Sequence, residues 1–152
     1  FLEDTDSVLL GTHSFWEGVD VPGSALSMVV MPRIPFRNVR DPFMVKVDEL
    51  AHRRAAEVNA DKTLTDSQKR SILWRESPFS CYQVPYATLM LRQGIGRLIR
   101  TSEDRGVVAL LDARLERLGY GKTMQKAFPT KAKAVDAEEM AQAASRFFGA
   151  SG

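Results

Sequence analysis

Nine residues, RQGIGRLIR at 92–100, concentrate three arginines and two glycines in a stretch whose apolar spacing is helical. At roughly 100° per residue, Gln93, Arg97 and Arg100 share one narrow arc, whereas Leu91, Ile95 and Leu98 fall on the opposite side with Ile99 at its edge. The apolar side can dock on a core and leave the guanidinium groups pointing away from it. Glycine inside a helix costs roughly 1 kcal/mol relative to alanine, so Gly94 and Gly96 are expected where a second surface approaches the backbone closely. A glutamine and arginines on such a face suit a phosphate, because the planar guanidinium stays charged and grips two oxygens at once. A solvated surface with incidental arginines is the other reading that this segment alone allows.

Two further stretches carry chemistry. GTHSFWEGVDVPG at 11–23 follows an apolar run, and loops at the ends of parallel strands are where α/β folds bind ligands. Gly11, Gly18 and Gly23 permit tight turns, Thr12 and Ser14 offer hydroxyls, and Glu17 and Asp20 can fix arginines, ribose hydroxyls or water. Phe15 and Trp16 fit core packing better than base stacking. MPRIPFRNVRDP at 31–42 interleaves Arg33, Phe36, Arg37 and Arg40 among three prolines, the mixture of charge and ring faces that a single-stranded nucleic-acid groove uses. GYGKT at 119–123 ends like a phosphate-binding P-loop, but the glycine required five positions before the Gly-Lys pair is replaced by Glu116. A metal hydrolase built on His13, Glu17, Asp20 and His52 lacks an HExxH pattern or a close carboxylate cluster.

The elements that must position these residues read as α/β. SVLLG (7–11), LSMVVM (26–31) and GVVALLD (106–112) are nearly continuous apolar runs, the pattern of strands buried on both faces of a parallel sheet. Helical patterns lie around 42–58, 66–76 and 84–100. The region 41–80 is a helical insert, longer than one crossover requires, whose basic residues are interspersed with acidic ones. A last helix opens on Asp136 with Glu139 three residues on, resembling a capping box, and carries an apolar stripe through Phe147 and Phe148 that is expected to pack on the domain. KTMQKAFPTKAKA around Pro129 reads as the one linker. The expected organisation is a domain over 1–135 with a C-terminal helix over 136–152.

Composition narrows the classes. The chain has 152 residues, 44% of them apolar and 26% charged, as in an ordinary globular domain. A net charge of +2 is too small to identify a nucleic-acid binder by bulk, so basic surface must come from local clustering. One cysteine, Cys81, excludes an internal disulfide and any cysteine-ligated metal site from this chain alone, and a reducing cytoplasm fits. No apolar run approaches the ~20 residues that span a bilayer, so no membrane association is expected. The sequence opens on Phe1 and reaches an apolar run almost at once, which reads as part of something longer.

In combination these motifs resemble a family. FWEGVDVPG, then P-x-x-P-F, a helical insert, QGIGRLIR, GVVALLD, D-x-R and YGK, in that order over roughly 7–130, resemble the second RecA-like motor domain of the DinG/XPD helicases of superfamily 2, with FWEGVDVPG and YGK favouring the DinG branch. The resemblance implies a RecA-like, P-loop NTPase-like fold and a 5′-3′ DNA helicase whose ATP site is shared with an N-terminal RecA-like domain. It implies arginine-finger roles for Arg97 and Arg100 and an orienting role for Gln93, with Glu17, Gly18, Asp20 and Gly96 also at the nucleotide cleft. Thr12, Ser14, Arg33 and Phe36 are the implied contacts to single-stranded DNA. ATP and Mg2+ are then held mainly by the missing N-terminal domain, and any iron–sulfur cluster belongs to that part as well. This chain holds neither a P-loop nor an acidic box, so alone it is expected to be inactive. Rival readings are a non-catalytic nucleic-acid- or protein-binding module of the same fold, and a metal hydrolase using Glu17 and Asp20.

Overall fold

The computed structural model describes residues 7–12, 26–99 and 104–149. The chain divides into two compact units, one of residues 1–35 with 90–152 and one of residues 36–89.

The first unit holds the sheet. Strand β1 (Met28–Met31) pairs in parallel with β2 (Val107–Leu110), with Met28 opposite Val107 and Met31 opposite Leu110. The ladder is extended by Val107 N–H donating to Ser27 C=O at 3.0 Å and Leu111 N–H to Met31 C=O at 3.0 Å. Parallel neighbours need a long crossover, and here it carries all the chain between them. The expected α/β class is therefore present as helices with a small parallel sheet. The run SVLLG, which reads like the other two, forms no strand: residues 7–12 have no regular structure, and Val8 and Leu10 are 85% and 88% exposed.

After β2 come two short helices, α4 (Arg114–Arg117) and α5 (Gly119–Gln125), and later α6 (Ala137–Gly149). GYGKT is thus helical and not a phosphate loop. Its Gly121 is required by close approach: a Cβ there would sit 2.2 Å from the Leu115 carbonyl oxygen. Met124 is fully buried, so the expected linker begins only after Gln125. Burying a side chain of this size contributes about 2 kcal/mol. Asp136 caps α6 by accepting the Glu139 N–H at 2.8 Å. Helix α6 lies along β2 with Met140, Ala144 and Phe147 half-buried, and Phe147 meets Phe148 edge to face at 5.4 Å.

The second unit is helical. Helix α1 (Pro42–Ala60) starts where proline suits the first turn, capped by Asp41, which accepts the Phe43 N–H at 2.8 Å. Thr63 donates from both its N–H and its hydroxyl to Asp61, closing the turn after α1 and holding that carboxyl below its usual range. Helix α2 (Asp66–Arg75) begins with a reciprocal capping box between Thr65 and Gln68. Arg54 on α1 reaches Glu57 at 3.1 Å and Glu76, just past α2, at 2.9 Å. A π-helical turn, Phe79–Gln83, then runs directly into helix α3 (Val84–Leu98), within which the boundary between the two units falls.

Candidate functional site

The arginine-rich helix divides as its wheel predicts. On α3, Leu91, Ile95 and Leu98 are 1%, 3% and 5% exposed, while Gln93 and Gly96 are exposed and Arg97 is half-buried. Leu98 fills the space over Gly106, where a Cβ would come within 2.6 Å of its side chain, so the end of α3 is docked against the entry to β2. Gly96 is different. Beyond its chain neighbours and the backbone of its own helix, no heavy atom of the described residues lies within 4 Å of the position its Cβ would take. Packing within the described chain does not require a glycine there, although the helix is weakened by it.

A second feature sits at the C-terminal ends of β1 and β2. Pro32, Arg33, Leu111, Asp112, Ala113 and Arg114 line an open cleft of about 310 Å³, with Arg33 exposed at its edge. Asp112 organises this cleft. Its Oδ2 accepts the Ile34 N–H at 2.9 Å, and its two oxygens receive the Arg114 Nε at 2.9 Å and Nη2 at 2.6 Å, with the Arg114 N–H adding 3.1 Å. The Asp112 carboxylate is 8% exposed and the Arg114 side chain 45%. The Arg114 guanidinium, aided by the Ile34 amide, holds the Asp112 carboxyl well below the usual carboxylate range against the opposing effect of burial, and Arg114 is raised in return. The result is a latch between the two strand exits that fixes the backbone beside Arg33.

The other residues singled out by sequence fall as follows. Gln93, Gly96 and Arg97 share one helix face. Thr12 is exposed in the irregular segment, whereas Ser14, Glu17, Gly18, Asp20 and Arg100 lie outside the described residues, as does His13. Phe36 is half-buried with its ring 5.3 Å from that of Phe79, so at least one of its faces serves packing. His52 is exposed on α1 and faces Asp48 at 3.9 Å.

Two organising residues carry no role in the sequence reading. The D-x-R that follows a buried strand was the available signal for Asp112 and Arg114. Gln83 had none: it is a buried polar side chain whose partners are the main-chain N–H and C=O of Arg37, at 2.8 and 3.1 Å. No helix of the described residues is long and apolar enough to cross a membrane.

Comparison with known proteins agrees with the motif order. The sequence matches the helicase C-terminal domain family over residues 1–131. It is 36% identical over 143 residues to the ATP-dependent DNA helicase YoaA of Haemophilus influenzae, covering 93% of this chain and 19% of that protein. It is 36% identical over 130 residues to the 3'-5' exonuclease DinG of Bacillus subtilis, covering 86% of this chain and 12% of the relative. The ATP-dependent helicase DinG of Mycobacterium tuberculosis is 36% identical over 130 residues, 85% of this chain and 16% of its own length. The chain thus spans less than a fifth of each of these relatives. It belongs to the helicase C-terminal domain family, and within it to the DinG type.

Proposed function

We propose that this chain is the second, RecA-like motor half of an ATP-dependent 5′-3′ DNA helicase and completes an ATP site whose other wall belongs to an N-terminal motor domain. The observation that carries this reading is the outward face of α3: Gln93 and Arg97 share it with Gly96, a helical glycine whose Cβ position is open to space among the described residues outside its own helix and chain neighbours. A glycine that weakens its own helix and leaves open space beside an arginine suits close approach by a second surface.

The partner domain carries the P-loop and the acidic box that hold ATP and Mg2+. Arg97 and Arg100 add fixed positive charge at the terminal phosphate, which counts most where charge builds up as the phosphoryl group leaves. Gln93 orients water or a phosphate oxygen, and Glu17, Gly18 and Asp20 link the nucleotide cleft to the strand-binding surface. Arg33, held beside the latch of Asp112, contacts the backbone of single-stranded DNA together with Thr12, Ser14 and Phe36. Opening and closing of the cleft between the two domains then moves the strand.

The test is Arg100→Ala and, separately, Arg97→Ala in the full-length protein. DNA-stimulated ATP hydrolysis falls about 10³-fold, equivalent to about 4 kcal/mol of transition-state stabilisation, while ATP affinity changes by no more than about threefold. Turnover at the native rate in both variants overturns the assignment. Native protein that binds single-stranded DNA without hydrolysing ATP identifies a binding module instead.

A further inference from the structure

Gln83 poses a question that packing alone does not answer. It is 5% exposed, at the end of the π-helical turn Phe79–Gln83, a position that an apolar residue would fill without having to satisfy an amide. Such turns inside helices are frequent at functional sites. Both halves of the Gln83 amide engage one residue: Oε1 accepts the N–H of Arg37 at 2.8 Å, and Nε2 donates to the C=O of Arg37 at 3.1 Å. The side chain acts as a short strand paired with a single main-chain unit and fixes the direction in which the Arg37 side chain leaves.

That side chain is itself held. Its guanidinium carbon stands 4.2 Å from the centroid of the Tyr86 ring and 5.8 Å from that of Phe43, and Phe43 is braced edge to face by Tyr82 at 5.5 Å. Asp41 lies 3.7 Å from Nη1, beyond hydrogen-bond reach, so it attracts the charge without occupying a donor. The side chain remains 38% exposed. A guanidinium held over ring faces keeps its charge, and the planar fork of N–H donors it carries is the group that grips an oxyanion. Asn38 forms the turn that follows, accepting the Arg40 N–H at 2.9 Å on its side chain and the Asp41 N–H at 3.0 Å on its carbonyl. Arg40 is exposed on that turn with no ion-pair partner among the described residues. A preorganised cation beside a second one fits a ligand that repeats its negative charge along a chain.

We infer that Arg37, positioned by Gln83, is a further phosphodiester contact for single-stranded DNA. This rests on the DNA-binding reading above, and the experiment separates the two. In the full-length protein, binding to labelled oligothymidylate is measured between about 50 and 200 mM salt. One lost phosphate contact on a single strand lowers the slope of log K against log salt by about 0.7, which at 0.1 M salt corresponds to about fivefold weaker binding. Arg37→Ala shows both changes, with the KM for ATP unaltered. Gln83→Met keeps the arginine but frees its backbone, so it weakens binding in the same direction, and Gln83→Met with Arg37→Ala together is no weaker than Arg37→Ala alone. Tyr86→Leu, which removes the ring beneath the guanidinium, weakens binding independently should Gln83→Met not fold. A native slope and affinity in Arg37→Ala overturn the inference, as do additive losses in the double variant or a change confined to the KM for ATP. Native protein that does not bind oligothymidylate overturns the DNA-binding reading itself.

Discussion

Replacing Asp112 with alanine removes the acceptor of the Ile34 amide and the partner of Arg114 in one step. Ile34 is 5% exposed, so its N–H has little water to turn to. A hydrogen bond to a charged acceptor is worth about 1.5–3 kcal/mol, and the half-exposed Arg114 pair adds at most about 1 kcal/mol. We therefore expect the latch to open more easily by about 2–3 kcal/mol. Hydrogen exchange reads this locally, because that difference accelerates exchange of the Ile34 amide roughly 30- to 150-fold. The sheet supplies its own reference in the Leu111 and Val107 amides, which donate to Met31 and Ser27 and make no bond to Asp112. Asp112→Asn retains an acceptor for Ile34 but loses the charge, and falls between the native protein and the alanine variant. Ile34 exchange unchanged in Asp112→Ala refutes the latch. Equal acceleration at Ile34, Val107 and Leu111 refutes its local character and makes Asp112 a prop of the whole sheet.

The depressed Asp112 carboxyl also gives stability a pH dependence. Its folded value lies below the unfolded value of about 3.9, so its contribution is complete well above that pH and is lost as pH falls toward the folded value; denaturant titration is expected to show a constant gap between native protein and Asp112→Asn above about pH 5 that closes below about pH 4. A matched pair of glycines separates packing from function. Gly121→Ala forces a methyl group onto the Leu115 carbonyl and costs about 1–3 kcal/mol in thermal unfolding, whereas Gly96→Ala meets nothing within the described chain and stabilises α3 by up to about 1 kcal/mol. The same Gly96→Ala change lowers ATP turnover of the full-length protein if a second surface approaches that helix, and unaltered turnover removes the reason given for the glycine.

What the sequence discloses about this chain follows the distance over which each feature is determined. Helix α1 begins at Asp41-Pro42 and α2 at Thr65 with Gln68 because a cap is settled within four residues, and those limits are legible. The two faces of α3 are equally legible, since burial of Leu91, Ile95 and Leu98 repeats the helical period. SVLLG has the same apolar continuity as β1 and β2, yet residues 7–11 form no strand, because a parallel strand depends on where a neighbouring edge lies and no local pattern encodes that edge.

The polar organisers are less legible still, for the same reason. Asp112 acts on Ile34 across 78 residues and Gln83 acts on Arg37 across 46, and neither pairing leaves a periodic trace. Both carry the same consequence: each ties a side chain from a distant element to the main chain of the segment after β1, Asp112 beside Arg33 and Gln83 at Arg37. The cations of that segment, Arg33, Arg37 and Arg40, are legible from composition alone. The side chains that set their backbone are recognisable only once the fold has brought them there; breaking the Asp112 clamp also releases Arg114, whereas the Gln83 clamp can be broken without changing the charge of the chain. That makes Gln83→Met the variant that distinguishes placement of charge from its mere presence: if charge alone matters, it leaves DNA affinity at the native value, and if placement matters, it lowers it with every charged group still in the chain.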